Sequence, residues 1–238
     1  MNTPRSREGN LVRYLVYFVV FVFTALADNL AIKSPSISIW NVILFLVLAA
    51  MCLLFYIYRY NREQRFFDSR FNVPWLSSFN FTLLLSFVVA AGRIGISYLQ
   101  LYKGMPASGL QLAYASHSTS ALYWFMMLAN GLVLPILEEY LCTGFLFNYW
   151  FRTEKKGVAY VGIICSGLFY AILTFQFTPA IFAFNFAFGM LFAWSYLSTQ
   201  TIWLPLYLAA LNGSLSNLTD ACQEILHMFD EGTKQNTS

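Results

Sequence analysis

Charge is scarce in this sequence: only 11% of its 238 residues are charged, where soluble domains carry about 25%. Hydrophobic residues make up 58% and aromatic ones 19%. A soluble fold of this length has nowhere to hide so much apolar surface, whereas hydrocarbon is the solvent such surface prefers. A soluble domain is therefore excluded. Histidine is almost missing, with His117 and His227 alone. The four cysteines, Cys52, Cys142, Cys165 and Cys222, include no CxxC pair, which removes support for a disulfide framework or a cysteine metal site. Three lie inside apolar stretches and read as small buried hydrophobes. No repeat or low-complexity tract is present. The first apolar run is followed by Asp28, Asn29 and Lys33, not by a small-residue cleavage site, so it is expected to stay as a helix.

What is present is a series of long apolar runs. About 20 residues of helix cross about 30 Å of hydrocarbon, and the runs 14–32, 37–58, 79–99, 121–151, 158–177, 180–197 and 202–218 satisfy or approach that length. The fourth would measure about 46 Å as a straight helix. It is expected to tilt, project or break near Asn130-Gly131 or Pro135, where backbone hydrogen bonding is weak. Arg5, Arg7, Arg13, Arg59, Arg62, Arg65, Arg70, Arg152, Lys155 and Lys156 make ten of the fourteen basic residues, and seven alternating spans put all ten on one side. The positive-inside rule makes that side cytoplasmic. The acidic tail 219–238, with Asp220, Glu224, Asp230 and Glu231, then lies outside. The expectation is an all-α, polytopic transmembrane bundle of about seven spans, N-in and C-out, forming one integral membrane domain over 1–238. The Arg-rich loop after the second span is a topology signal, not a nucleic-acid patch.

Ionisable residues within a span cost several kcal/mol unless paired or hydrated, so they mark function by default. Arg93 in the third span and the adjacent Glu138 and Glu139 in the fourth qualify; Asp28 is placed near the outer end of the first span, in reach of water. Counting from Phe79 to Arg93 gives about 21 Å of helix, and from Arg152 back to Glu139 about 20 Å. The three charges thus share one level. Neighbouring helical residues point about 100° apart, so one glutamate can face a cavity while the other meets a neighbouring helix.

The run Glu138-Glu139-Tyr140-Leu141-Cys142-Thr143-Gly144-Phe145-Leu146 resembles the EExxxR motif of the CAAX-protease and bacteriocin-processing family of intramembrane glutamyl proteases, also called the Abi family. Ser166-Gly167-Leu168-Phe169-Tyr170-Ala171-Ile172-Leu173-Thr174 stands where that family has FxxxH, and the helix 184–194, with Gly189, is similar to the one that follows. Trp203-Leu204-Pro205-Leu206-Tyr207-Leu208-Ala209-Ala210-Leu211-Asn212 stands where the family has HxxxN. The likeness runs over 132–218, within a family-like core of about 120–218. The resemblance implies a peptidase site in which a glutamate and two histidines activate water. Here Thr143 replaces the motif arginine, Thr174 and Ala209 replace the histidines, and Asn212 falls one residue early. With the motif arginine absent, Arg93 is expected to supply the charge for Glu139.

Glu138 and Glu139 are therefore the candidate catalytic pair, with Arg93 and Asn212 as supporting polar groups. Loss of a positioned acid or base typically costs about 10²–10⁴-fold. Two glutamates and one Asn make a poor zinc set, so no metal or other cofactor is expected. The expected role is a non-catalytic family member in a bacterial plasma membrane, acting as a bacteriocin self-immunity factor or membrane scaffold. Its partners would be the bilayer and a bacteriocin, a prenylated or other membrane peptide, or a membrane protein. The alternative is an intramembrane endopeptidase built on Glu138 and Glu139. A solute or proton pathway would call for more hydrated polar positions than the pattern offers.

Overall fold

A computed structural model describes residues 7–32, 38–63, 79–103, 120–151 and 156–235. Among them the chain forms seven helices and no strand: α1 (Arg7–Ile32), α2 (Ile39–Glu63), α3 (Phe79–Lys103), α4 (120–150), α5 (Lys156–Leu173), α6 (Pro179–Thr199) and α7 (Trp203–Gln235). The seven expected runs each become one helix. Five carry an apolar stretch long enough to cross a membrane, and α5 carries a shorter one, Gly157–Leu173. α7 is not among them: Asn212, Ser214, Ser216 and Asn217 interrupt its apolar part, and the helix continues to Gln235, well past the expected end at 218. Large side chains such as Trp40, Phe87, Leu54 and Trp124 are exposed around the bundle, as expected where the surrounding solvent is hydrocarbon. Arg5, Arg65, Arg70, Arg152, Lys155 and the segment 106–119 with Tyr114 and His117 lie outside the described residues, as does the side chain of His227.

The long fourth run does not break. It remains one helix with two wide π turns, Ala129–Val133 and Tyr140–Phe145. Pro135 accounts for the first. Proline has no N–H, so the carbonyl four residues before it loses its helical partner; that carbonyl, on Gly131, instead accepts a bond from Ser214 Oγ of α7 at 3.3 Å. The Leu134 N–H reaches back five residues to the carbonyl of Ala129. The irregularity was expected at Asn130-Gly131. The second π turn was not, and it begins directly after the two glutamates. It contains Gly144, against which the Tyr60 ring packs, and the Leu141 carbonyl, which accepts from Tyr14 Oη at 3.3 Å.

Two backbone approaches hold the other helices. Gly189 on α6 meets Gly167 on α5 so closely that an added Cβ would lie 2.9 Å from the Gly167 Cα and 2.6 Å from Tyr170 Cβ. At Gly213 on α7 an added Cβ would lie 2.7 Å from the carbonyl oxygen of Gly131. Small residues let membrane helices come this close, because van der Waals packing must do what the hydrophobic effect does in water.

A second polar centre ties α1, α2 and the end of α4 together. Glu63 accepts from Arg59 at 2.8 Å and Arg13 at 3.3 Å, from Tyr17 Oη, and from Tyr149 Oη through a short bond. Glu63 was not singled out from the sequence; the fold buries it.

Gly189→Val should drive a branched side chain into Gly167 and Tyr170, and overpacking of this kind costs about 1–3 kcal/mol. Thermal unfolding of the purified protein should show a lowered Tm for this variant. Gly95→Ala, where nothing lies within 4 Å, should leave the Tm unchanged or raise it, since alanine is the better helix former.

Candidate functional site

The site is a cavity of about 80 Å³, large enough for several waters. Five helices build its polar wall. Glu138 comes from α4 and Arg93 from α3; α5 supplies Tyr170, and the turn that follows it Thr174; α7 supplies Asn212, Gly213 and Ser216. Asn185 of α6, Gln176 of the following turn, and Asn130, Leu134 and Pro135 of α4 complete it. The first π turn and the Gly213 approach shape this wall directly, because both bring the backbone of α4 against α7.

Most of the side chains are spoken for. Arg93 Nε donates to Asn212 Oδ1 at 2.6 Å, and Asn212 Nδ2 donates to Tyr170 Oη at 3.1 Å. The Arg93 guanidinium also lies over the Phe188 ring, 5.2 Å from its centroid. Thr174 Oγ1 donates back to the Ala171 carbonyl of α5, 2.9 Å away, and accepts from Asn185 Nδ2 at 3.0 Å. Asn130 Nδ2 donates to Asp28 Oδ1 at 3.4 Å. Glu138 is the exception: it faces the cavity, is only 8% exposed, and has no hydrogen-bond partner among the described residues.

Glu139 takes the other direction. It is fully buried, and neither carboxylate oxygen meets a donor among the described residues. Thr143, one helical turn on, shares a hydrogen bond of 3.2 Å with Ser166 Oγ of α5. The division of the pair into one cavity-facing and one inward-facing glutamate follows from the angle between successive helical positions. The expected pairing of Arg93 with Glu139 is not formed. Arg93 lines the cavity together with Glu138, Asn212 occupies its Nε, and Glu139 is not part of the cavity wall.

Asp28 also departs from expectation. It is 6% exposed and packed against α4 through Asn130, not open to water. Ala209, at the third-motif histidine position, is buried in the core and takes no part in the cavity wall. Asn185, Gln176 and Ser216 escaped the sequence reading, and Asn130 was read only as a helix irregularity and not as a site residue. The available signal was their polarity within apolar helices, strongest for Asn185 amid the phenylalanines of α6. Among the described residues, no three His, Cys, Asp or Glu side chains gather as a metal site.

Asn212 carries both ends of the Arg93–Tyr170 bridge, so Asn212→Leu should strand a guanidinium N–H and a phenol in the wall. Each orphaned buried polar group costs about 1–3 kcal/mol. A lowered Tm for this variant, with Ser216→Ala close to wild type, would bear out the bridge; equal Tm values for both would refute it.

The family model of Type II CAAX prenyl endopeptidase Rce1-like proteins matches residues 120–215. No curated protein and no solved structure matches the chain. The matched stretch spans α4 to the middle of α7 and contains every cavity residue but Arg93 and Ser216. Over residues 120–215, the chain is similar to Type II CAAX prenyl endopeptidase Rce1-like proteins.

Proposed function

We propose that this CAAX-protease-like membrane protein is a non-catalytic family member that binds a membrane peptide or protein through its cavity. The carrying observation is the state of the groups around Glu138. A hydrolytic site needs a second group that can relay a proton or hold the developing oxyanion. At the two histidine positions stand Thr174, whose hydroxyl proton is given to the Ala171 carbonyl, and Ala209, which does not reach the cavity. Arg93 and Asn212 are bonded to each other, and Asn212 is bonded to Tyr170. Such a wall is arranged to recognise polar groups and hold them. In a bacterial plasma membrane this role suits bacteriocin self-immunity, with the toxin or its membrane receptor as partner.

One observation favours a second reading, an active intramembrane endopeptidase. Glu138 has an unengaged carboxylate on a cavity roomy enough for water, which is the geometry a general base requires. The two readings part on one experiment. Purified protein in lipid vesicles is given a fluorogenic prenylated peptide, with Glu138→Gln alongside. The non-catalytic reading expects wild type and variant both at the rate of empty vesicles. Cleavage by wild type that falls about 10²–10⁴-fold in the variant would establish the peptidase.

A further inference from the structure

The two polar centres of this protein differ in one respect. Around Glu63 every charge has a partner: two arginines and two tyrosines converge on one carboxylate, leaving nothing to offer a ligand. On the cavity wall Arg93 and Glu138 form no ion pair with each other, and the further charge that Arg93 feels is the buried carboxylate of Asp220 on α7, which does not line the cavity. Arg93 gives only its Nε to Asn212; its terminal nitrogens have no hydrogen-bond or ion-pair partner among the described residues. Glu138 is more than nine-tenths buried and has none either. Charges in a membrane span are costly unless hydrated or paired. An unfilled guanidinium fork matches the two oxygens of a carboxylate, as a flexible ammonium does not, and an unfilled carboxylate accepts N–H groups.

We propose that the cavity is a subsite for a carboxylate carrying an N–H on the adjacent carbon, with the carboxylate on the Arg93 fork and the N–H on Glu138. A peptide's C-terminal residue has this chemistry, and so does a free α-amino acid. The volume of about 80 Å³ admits the carboxylate and α-carbon but no large side chain. Asn212 sets the guanidinium plane through Nε, and Phe188 covers one face of it. The subsite deepens the binding reading above by naming the ligand class, and it rests on that reading.

The test uses the full chain in phosphatidylcholine nanodiscs and three probes: acetyl-Ala-Ala with a free C-terminus, its C-terminal amide, and L-alanine. Binding is read by calorimetry, and peptide integrity by mass spectrometry of the same samples. A charge-assisted bidentate contact should make the free acid bind at least about tenfold more tightly than the amide, a comparison made on wild type alone. Arg93→Lys should remove most of that preference. If the natural ligand is a peptide end, L-alanine binds weakly and Glu138→Gln leaves the acetylated acid within a few-fold, because the glutamine oxygen still accepts an N–H. If it is a free amino acid, L-alanine binds and Glu138→Gln weakens it about tenfold through loss of the ammonium's charge partner. Equal binding of acid and amide, or no saturable binding of either acid or alanine to protein that unfolds cooperatively, overturns the subsite. Cleaved peptide in the samples would overturn the non-catalytic reading while leaving the subsite standing.

Discussion

A carboxylate or guanidinium inside hydrocarbon must find a charge, a donor or a pocket of water, because the surrounding solvent offers none of these. This one constraint organises the bundle. Outward faces carry exposed Trp40, Phe87 and Leu54, while the buried polar side chains among the described residues mostly turn inward to a partner or to the cavity wall, and Glu139 meets no hydrogen-bond donor among them. Two polar centres result. The Glu63 cluster fastens α1 and α2 to the end of α4 and is saturated. The cavity centre is only partly saturated, and its unfilled valences are where a ligand has something to gain.

α4 is the element through which both centres act. Its first π turn exists because Pro135 cannot donate, and the carbonyl so released is taken up by Ser214 on α7, which seats that helix against the cavity. Its second π turn, 140–145, offers Leu141 to Tyr14 and Gly144 to Tyr60, which seats α1 and α2 on the opposite face. Glu138 and Glu139 lie between the two turns, so their directions are fixed from both sides. Wide turns of this kind recur near functional sites because they re-aim side chains without ending a helix.

Much of this was legible in the sequence. Seven apolar runs became seven helices, since hydropathy is a strong and local signal. Counting residues put Arg93 and the glutamates at one level, since helical rise is nearly constant, and Arg93 and Glu138 do line one cavity. Direction was harder. Arg93 was assigned to Glu139 on shared depth and the missing motif arginine, yet it meets Asn212 of α7. Asp28, read as open to water, is bonded to Asn130 because α1 packs along α4. Asn185 and Glu63 were passed over because an isolated polar residue in an apolar helix has no periodicity to betray its partner. The second π turn left no mark beyond Gly144.

The central claim is that the two adjacent glutamates live in different surroundings, Glu138 on a hydrated cavity and Glu139 in dry protein. In a chain freed of its four native cysteines, Glu138→Cys and Glu139→Cys can each be exposed to a small methanethiosulfonate in sealed vesicles, and the labelling rates compared. Thiols react as thiolates, which form only where water reaches them, so the account predicts labelling at position 138 at least about tenfold faster than at 139. Equal rates, or faster labelling at 139, would contradict it.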